Sequence, residues 1–365
     1  MWPYGPTSAG AMGSESGDCR YVKGMQIMKA LVVNCSARST SGERLYNLGA
    51  QKLKDWLWCQ GYCVTYVDGD PGMWELDADL VALSVIFSWH APLAREIALR
   101  MKNRAEVWCG GPGMFALASW WRKETCLETV RGLDDRFDKQ RGRYDMTFAS
   151  RGCPVNCSFC IVPRLEGTHF TFDPDFIPAP KLCDNNLSAL PADYQDHIIE
   201  RYRAYHQPLV DANSGFEPRY FTEETYQRWK PLLDETRAYW RFALDETREL
   251  EDVRCMMTIL KEVSPSRKRV YCLVGNEPIQ ACYERAMKII EWGGEPFCQF
   301  LLPLNWLGDA KKVKSRYDWT SYQQGRDFCR YFNRYGWRSY PIWHYQNRKN
   351  EPPPFAFLCP KTWQG

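Results

Sequence analysis

Short runs of β-branched residues alternate with helical stretches from Lys29 onward, and this alternation restricts the chain to few folds. "KALVVNC" precedes "GERLYNLGAQKLKDWLWCQG", and "YCVTYVDGD", "ADLVALSVIFSW", "APLAREIALRMKN" and "AEVWCGGPG" continue the pattern. Neighbouring parallel strands need a long crossover, which is usually a helix. The pattern therefore predicts a doubly wound α/β domain over residues 29–121, with helices on both faces of a parallel sheet.

The alternation resumes after a polar connector, residues 122–145. Six strand candidates separated by helical stretches follow: "MTFAS", "KLCDNN", "PLVDANSG", "YWRFALDE", "KRVYCLVGN" and "PFCQFLLPLN". Six strands with helical crossovers predict a parallel barrel or part of one over residues 146–308. Its functional residues are then expected at the carboxyl ends of the strands.

Length and composition narrow the class of protein further. The 365 residues suffice for two domains, 45% are hydrophobic, and the formal net charge is +3. No apolar run approaches the roughly 20 residues that cross a bilayer, so we expect no membrane partner. Residues 1–28, rich in Gly, Ser and Pro, are predicted to be disordered and lack a secretory signal pattern. The sixteen cysteines are accordingly expected to be mostly reduced, in the cytoplasm.

Three of the cysteines lie close together directly after a strand candidate, in "ASRGCPVNCSFCIVPRLEG". Cys153, Cys157 and Cys160 are separated by four and three positions. A structural zinc site uses four ligands, and Cys183 is available as a distant fourth. Three thiolates instead suit an iron–sulfur cluster with one iron left open to a ligand that is not protein. The spacing favours the cluster and leaves zinc as the alternative.

The segment "CPVNCSFC" resembles the CxxxCxxC signature of the radical S-adenosylmethionine superfamily, including the aromatic Phe159 before the last cysteine. The resemblance implies that Cys153, Cys157 and Cys160 bind three irons of a 4Fe-4S cluster. The amine and carboxylate of S-adenosylmethionine would bind the fourth. Reduction by a donor such as flavodoxin or ferredoxin would release a 5′-deoxyadenosyl radical that abstracts a substrate hydrogen.

Later segments continue this resemblance, namely "LCDNNLSA", "VDANSGFEPRYFTEE", "WRFALDE" and "YCLVGNEP". By strand order, Asn185 and Asn186 would face the methionyl end of the cofactor, and the fifth-strand region would lie against adenine. Loop capping and ordinary core packing are the alternative roles for each residue taken singly. The candidate cofactor contacts are Phe159, Asn185, Asn186, Asn213, Glu217, Asp245, Leu273 and Gly275.

The N-terminal domain is similar to the cobalamin-binding domains that precede some radical S-adenosylmethionine barrels. Ser88 follows one strand, and Gly110, Gly111 and Gly113 follow the next, where glycines let backbone approach a flat ligand. The DxHxxG motif that supplies a histidine ligand is missing, so cobalamin would bind without it. The alternative is a scaffold that binds no cofactor. Methylthiotransferases carry three cysteines in this domain. This chain has cysteines near only two of those places, Cys35 and Cys109, and we expect both to be packed in the core.

The C-terminal segment, residues 309–365, is basic and aromatic. Residues 310–350 hold ten Lys or Arg and two Asp, a net of +8. Basic groups interleaved with rings are typical of surfaces that bind single-stranded nucleic acid. A helix that packs its rings into the core would show the same spacing. The rings are Tyr317, Trp319, Tyr322, Phe328, Tyr331, Phe332, Tyr335, Trp337, Tyr340, Trp343 and Tyr345.

Together these features predict an α/β protein with an N-terminal doubly wound parallel sheet followed by a partial (β/α)6 radical S-adenosylmethionine barrel. The expected function is modification of a nucleotide or nucleic-acid base. Cobalamin-dependent methyl transfer and the modification of a peptide or small molecule are the alternatives within the superfamily. A non-catalytic metal-cluster protein that binds nucleic acid is the alternative of another class.

Overall fold

The computed structural model describes residues 27–38, 42, 44–72, 77–130, 132–213, 215–309, 322–347 and 351–362. The segment predicted to be disordered lies outside these residues except for its last two, as do residues 310–321 and 348–350 of the basic segment, with Tyr317 and Trp319. In the described part of the chain, no helix is long and apolar enough to span a bilayer.

The first half of the described chain is a four-stranded sheet with flanking helices. The elements are β1 (Lys29–Asn34), α1 (Leu48–Cys59), β2 (Cys63–Asp68), β3 (Leu80–Ser84), α2 (Ala91–Met101), β4 (Glu106–Gly110) and α3 (Ala118–Thr125). All strand pairs are parallel, in the order β2-β1-β3-β4. The predicted parallel α/β sheet is thus confirmed.

Alternate residues of the central strands supply cores on opposite faces of this sheet. On one face, Ala30 and Val32 pack with Leu53 and Leu57 of α1. On the other face, a larger cluster forms with α2 and α3, around Leu31, Val33, Val81, Leu83, Ile97 and Trp121. Because successive side chains of a strand point to opposite faces, this arrangement covers both sides of the sheet with helices.

Helix α1 begins later than the sequence pattern suggests. Its first residue is Leu48, and the Asn47 side chain accepts a hydrogen bond from Ala50 N (3.0 Å). An Asn that caps a free N–H in this way fixes the helix start. The preceding residues therefore belong to the loop after β1.

The second half begins with the connector and the region around the cysteines. Its elements are α4 (Asp135–Asp138), β5 (Met146–Thr147), β6 (Ser150–Arg151), α5 (Val162–Leu165) and β7 (Thr171–Phe172). Strands β6 and β7 pair antiparallel, with Ser150 opposite Phe172. This short hairpin, which the sequence did not predict, encloses the three-cysteine loop.

Strands and helices alternate over the remainder. They are β8 (Lys181–Leu182), α6 (Ala192–Ala204), β9 (Asp211–Ala212), α7 (Glu223–Thr236), β10 (Trp240–Ala243), α8 (Leu250–Ile259), β11 (Lys268–Val274), α9 (Ile279–Glu291), β12 (Glu295–Phe300) and α10 (Tyr322–Asn333). Two parallel three-stranded sheets form, in the orders β5-β8-β9 and β10-β11-β12.

The two three-stranded sheets meet just after β9. Phe216 N donates to Arg241 O (2.8 Å), so the backbone that follows β9 continues onto β10. Gly215 allows this approach, because a Cβ there would lie 2.3 Å from Arg241 O. One apolar cluster, from Ala149 to Leu358, packs helices against both sheets. The carboxyl ends of successive strands therefore lie along one edge.

Candidate functional site

The three-cysteine loop is closed at its base by backbone contacts. Cys153 N donates to Gly167 O (3.2 Å). Gly152 has φ +88°, and a Cβ there would lie 2.2 Å from His169 O. Only glycine fits this position, because it tolerates both the left-handed backbone and the close strand. Within the loop, Cys160 N donates to Cys157 O (3.0 Å). The local geometry thus bends residues 153–160 into a compact turn.

Cys153, Cys157 and Cys160 are half-buried free thiols on this loop, and half-buried Phe159 lies between the last two. Burial raises the pKa of Cys157 to about 12, with a further contribution from Cys160. Burial also raises the pKa of Cys160, and the Cys153 thiol adds to that effect. Cys160 thus interacts electrostatically with each of the other two loop thiols.

The donor set on the loop fits an iron–sulfur cluster. It consists of sulfur alone, which suits soft metals. Among the described residues, no group of three or more His, Cys, Asp or Glu side chains is placed to hold a single metal ion. In an iron–sulfur cluster each thiolate binds its own iron, so three thiolates on one loop are the ligands of a cluster with one open iron.

Cys183, the distant fourth cysteine, differs from the three loop cysteines in burial. It is 6% exposed, and its N–H donates to Thr147 O (2.8 Å) beside β8. Burial raises the pKa of its thiol to about 12, and the charged groups that act on it are Asp184, Asp211, Lys181 and Arg151. Cys183 is thus a buried residue at the end of β8, whereas the three loop thiols are half-buried.

The two asparagines after β8 reach the cysteine loop. Asn186 Nδ2 lies 3.9 Å from Cys153 Sγ. Asn185 Nδ2 donates to Glu166 Oε2 (2.6 Å), and the same carboxylate oxygen accepts from Gly152 N (3.1 Å). Glu166 was not among the predicted site residues, and its distance from the DNN motif along the chain hid the contact. The structure thus brings Asn185 and Asn186 together with the cysteine loop.

Asp184, the first residue of the DNN motif, fastens the strand before the loop. Its carboxylate is fully buried and accepts from Ala149 N (2.7 Å) and Ser150 Oγ (2.5 Å). Burial raises the pKa of Asp184 to about 6 despite these bonds. The motif itself was noticed in the sequence, but only its asparagines were assigned a role. Asp184 is the residue that connects β8 to the base of the loop.

Changing Asp184 to Asn is expected to alter how stability depends on pH. Because the folded pKa lies above that of an unfolded Asp, the native protein binds more protons between about pH 4 and 6 and loses stability as pH rises through that range. An amide in place of this carboxyl does not titrate, so across that range the variant should gain up to about 3 kcal/mol relative to the unmodified protein. Urea unfolding at pH 4.5 and 7.5 measures this, and a constant difference would contradict it.

Acidic and basic side chains follow the third and fourth strands of this half. Glu217 Oε1 pairs with Arg219 Nε (2.6 Å), and the backbone of Glu217 is held through Ser188 Oγ (2.8 and 2.9 Å). Glu249 Oε2 accepts from Asp245 N (2.8 Å) and from Glu246 N (3.0 Å). These bonds set both carboxylates on the carboxyl edge of the strands.

The same carboxylates act on the cysteine thiols electrostatically. After burial and the neighbouring thiol, Glu217 contributes to the raised pKa of Cys157. Asp245 contributes to that of Cys160. Burial, then Glu249, raises the pKa of Asp245 itself to about 7. Glu217 and Asp245 thus interact electrostatically with loop thiols, Arg219 pairs with Glu217, and Glu249, which was not predicted, accepts from Asp245 N.

The fifth strand contributes at the same edge. Leu273 N donates to Asp245 Oδ1 (3.0 Å), so these two predicted residues are adjacent. Gly275 has φ +100°, and a Cβ there would meet the Phe300 ring at 3.0 Å. Asn213 differs from the rest, because its side chain is exposed and makes no contact with the cysteine loop among the described residues. Only its backbone, which donates to Leu182 O (2.8 Å), joins the sheet.

The glycines after β4 serve the chain's own backbone. A Cβ on Gly111 would lie 2.5 Å from Val85 O, and one on Gly113 would lie 2.6 Å from Phe87 C. Ser88, the other predicted contact, donates its hydroxyl to Trp306 O (2.7 Å). Residues 85–87 therefore lie against these glycines, where the sequence analysis expected a flat ligand. These residues do not fit cobalamin, and we assign it no role in the proposal below.

Changing Gly111 to Leu is expected to destabilise the fold by about 3 kcal/mol or more, because the added atoms meet fixed backbone in a left-handed conformation. Gly61→Ala is the control, since Gly61 shares a positive φ but has nothing within 4 Å of an added Cβ. Chemical denaturation measures both variants. The unmodified protein, incubated with cobalamin and desalted, should show no corrin absorption, and clear uptake would contradict this interpretation.

Cys35 and Cys109 are packed, as the sequence analysis expected. They are 3% and 1% exposed in the core of the N-terminal sheet. Burial raises the pKa of both thiols, and Cys35 adds to the effect on Cys109. Buried thiols of this kind are inert as ligands or nucleophiles.

Helix α10 presents two different faces. Phe328, Tyr331 and Phe332 are buried in the main core, and a Cβ on Gly325 would lie 2.2 Å from the Phe300 ring. Arg326 is exposed on the other side, and Arg334, directly after the helix, is exposed as well. Of the two interpretations of the aromatic segment, core packing describes these three rings.

Neither a scan of protein-family models nor a search of curated proteins finds a match for this chain.

Proposed function

We propose that the chain is a radical S-adenosylmethionine enzyme that modifies a nucleotide or nucleic-acid base. One observation carries the proposal. Asn186 Nδ2 lies 3.9 Å from Cys153 Sγ on a loop of three thiols that is closed by Gly152, and the strand-end carboxylates of Glu217 and Asp245 contribute to the raised pKa values of Cys157 and Cys160. Structural cysteines need no such surroundings, whereas a reactive cofactor does.

Each residue has a distinct task in this proposal. Cys153, Cys157 and Cys160 would hold the 4Fe-4S cluster, and Cys183 would not. Asn186 and Asn185 border the cluster on one side, with Glu166 fixing the amide of Asn185 (2.6 Å). Glu217 and Asp245 offer carboxylates to the amine and hydroxyl groups of S-adenosylmethionine. When bound, the cluster and S-adenosylmethionine supply an electron and a carbon-centred radical.

In this proposal the half-buried setting of the loop would limit the access of water and oxygen to the cluster. The loop is closed at its base by the β6–β7 hairpin and by Gly152. Six of the eight strands in the second half form two parallel three-stranded sheets, which supports the partial (β/α)6 barrel that the sequence predicts. Such a barrel places its site at the carboxyl edge of the strands. Asn186, Glu217 and Asp245 follow strands at that edge.

The surroundings of Gly275 favour a nucleotide or nucleic acid as substrate. Phe300 lies against Gly275 and 6.0 Å from the Tyr322 ring at the start of α10. The exposed Arg326 lies over Tyr322, 5.6 Å from its ring centroid. A cation and a ring beside the site edge are suited to a phosphate and a base. Arg338 lies at the opposite end of β12, paired with Glu295 (3.0 Å).

Changing Arg326 to Ala is expected to weaken binding of a single-stranded oligonucleotide and to reduce the slope of log affinity against log salt by about one. Arg338→Ala is the matched control, because its guanidinium is already paired with Glu295. Fluorescence anisotropy with DNA and RNA at several salt concentrations measures both. Equal effects of the two changes, or no binding at low salt, would contradict a nucleic-acid substrate and favour a peptide or a small molecule.

Anaerobic reconstitution followed by mass spectrometry tests the proposed chemistry. With a strong reductant, the unmodified protein should convert S-adenosylmethionine to 5′-deoxyadenosine, and a true substrate should increase the yield. The Cys157→Ala variant is the negative control. Bound iron without any cleavage of S-adenosylmethionine would instead favour a non-catalytic cluster protein.

A further inference from the structure

Arg285 is a fully buried cation on α9 whose surroundings the sequence analysis did not foresee. Its side chain has 0% exposure, and its Nε lies 3.0 Å from Glu277 Oε2. Taking a guanidinium out of water costs several kcal/mol, and an apolar residue of similar size avoids that cost. A charge retained in such a place calls for a specific role.

The guanidinium reaches the carboxyl ends of two neighbouring strands at once. Its Nη1 donates to Leu244 O (2.6 Å), directly before Asp245. Its Nη2 donates to Leu273 O (2.9 Å) and to Asn276 Oδ1 (3.3 Å). Charged donors make stronger hydrogen bonds than neutral ones, so these contacts fix both strand ends.

The groups that Arg285 holds are in turn bonded to each other. Asn276 Nδ2 donates to Asp245 O (2.5 Å). Glu277, the partner of Arg285, accepts from Thr247 N (3.1 Å) and from Thr247 Oγ1 (2.9 Å). Residues 244–249 and 273–277 are thereby joined into one unit with the guanidinium beneath it.

We propose that Arg285 is a positioning residue that sets the strand-end loops 244–249 and 273–277 for binding S-adenosylmethionine. This inference rests on the proposed function and deepens it. Arg285 contacts no ligand itself. It acts through the carbonyls of Leu244 and Leu273 and through Asn276, which in turn donates to Asp245 O. This role explains why a cation is buried behind an edge that carries carboxylates.

Arg267 provides a matched control at the opposite end of the same strands. Its guanidinium donates to Leu233 O (3.1 Å) and Ala238 O (3.2 Å) and pairs with Asp234 Oδ1 (2.7 Å). Arg267 therefore donates to backbone carbonyls, as Arg285 does. Its acceptors precede β10, whereas Leu244, an acceptor of Arg285, follows β10. Loss of either guanidinium should lower stability, and only loss of Arg285 should disturb the site edge.

Hydrogen–deuterium exchange of Arg285→Met and Arg267→Met tests the positioning role without any cofactor. Arg285→Met should speed exchange of amides in 244–249 and 273–277 by about tenfold or more, while Arg267→Met should do so only around 233–240. Arg285→Lys, which keeps the charge, should recover part of the protection. Unchanged exchange at both loops in Arg285→Met and Arg285→Lys would overturn the proposal.

Equilibrium dialysis of the reconstituted proteins with S-adenosylmethionine provides the second measurement. Arg285→Met should bind about tenfold more weakly than the unmodified protein, and Arg267→Met within about twofold of it. Equal weakening by both variants would assign Arg285 a purely structural role and refute positioning. If the unmodified protein does not bind S-adenosylmethionine, the proposed function fails, and the exchange measurement alone decides whether Arg285 fixes the loops.

Discussion

Loss of essentially all bound iron and sulfide is the expected result of changing any one of Cys153, Cys157 or Cys160 to Ala in anaerobically reconstituted protein. The three thiols are half-buried on one loop, and burial raises the pKa of Cys157 and of Cys160, each with a further contribution from another loop thiol. A cluster with one open iron has three protein ligands, so no spare thiolate replaces a missing one.

Cys183→Ala is the control for this prediction. Its thiol is buried at the end of β8, where Asp184, Asp211, Lys181 and Arg151 act on it electrostatically. The change should cost about 1 kcal/mol for the small cavity and should leave iron and sulfide content unchanged. Colorimetric iron and sulfide assays measure all four variants. Loss of metal on changing Cys183 would favour a four-ligand site, and with it zinc over a radical enzyme.

The sequence predicts the arrangement of strands and helices because the periodicity of apolar residues is a local signal. Runs such as "KALVVNC" and "KRVYCLVGN" became the parallel strands β1 and β11. The β6–β7 hairpin was missed because its two strands lie on either side of the cysteine loop, with Ser150 opposite Phe172 and Arg151 opposite Thr171. Apolar periodicity is a signal within one segment and does not show which distant segments pair.

Site residues were predictable only where a motif marks them. The DNN segment directed attention to Asn185 and Asn186, which contact Glu166 and Cys153. Glu166 and Arg285 belong to the same surroundings through partners that are far from them along the chain. A single sequence carries no record of such pairs, so only the folded arrangement of strand ends identifies them.

Glycines illustrate a different limit. The sequence shows that Gly111 permits a close approach, but it does not show what approaches. In the structure the neighbour is Val85 O rather than open space for a ligand. The same ambiguity applies to the C-terminal rings, since helical spacing predicts one face without saying whether that face meets a core or a nucleic acid.

Changing Phe328 to Ala is expected to destabilise the protein by about 3 to 5 kcal/mol, because a fully buried ring leaves a cavity as well as lost apolar contact. Phe328 has 0% exposure, and its ring centroid lies 4.9 Å from that of Phe332 and 5.8 Å from that of Phe355. The midpoint of urea unfolding measures the loss.

The same variant separates the two interpretations of the aromatic segment. If α10 packs its rings inward, folded Phe328→Ala protein should bind a single-stranded oligonucleotide as well as the unmodified protein does. Tyr340→Ala is a matched control, because that ring is 39% exposed and its loss should cost little stability. A Phe328→Ala protein of unchanged stability but weakened oligonucleotide binding would mean that this face stacks on bases. Core packing would then be the wrong description of α10, and the basic segment as a whole would become the candidate substrate-binding surface.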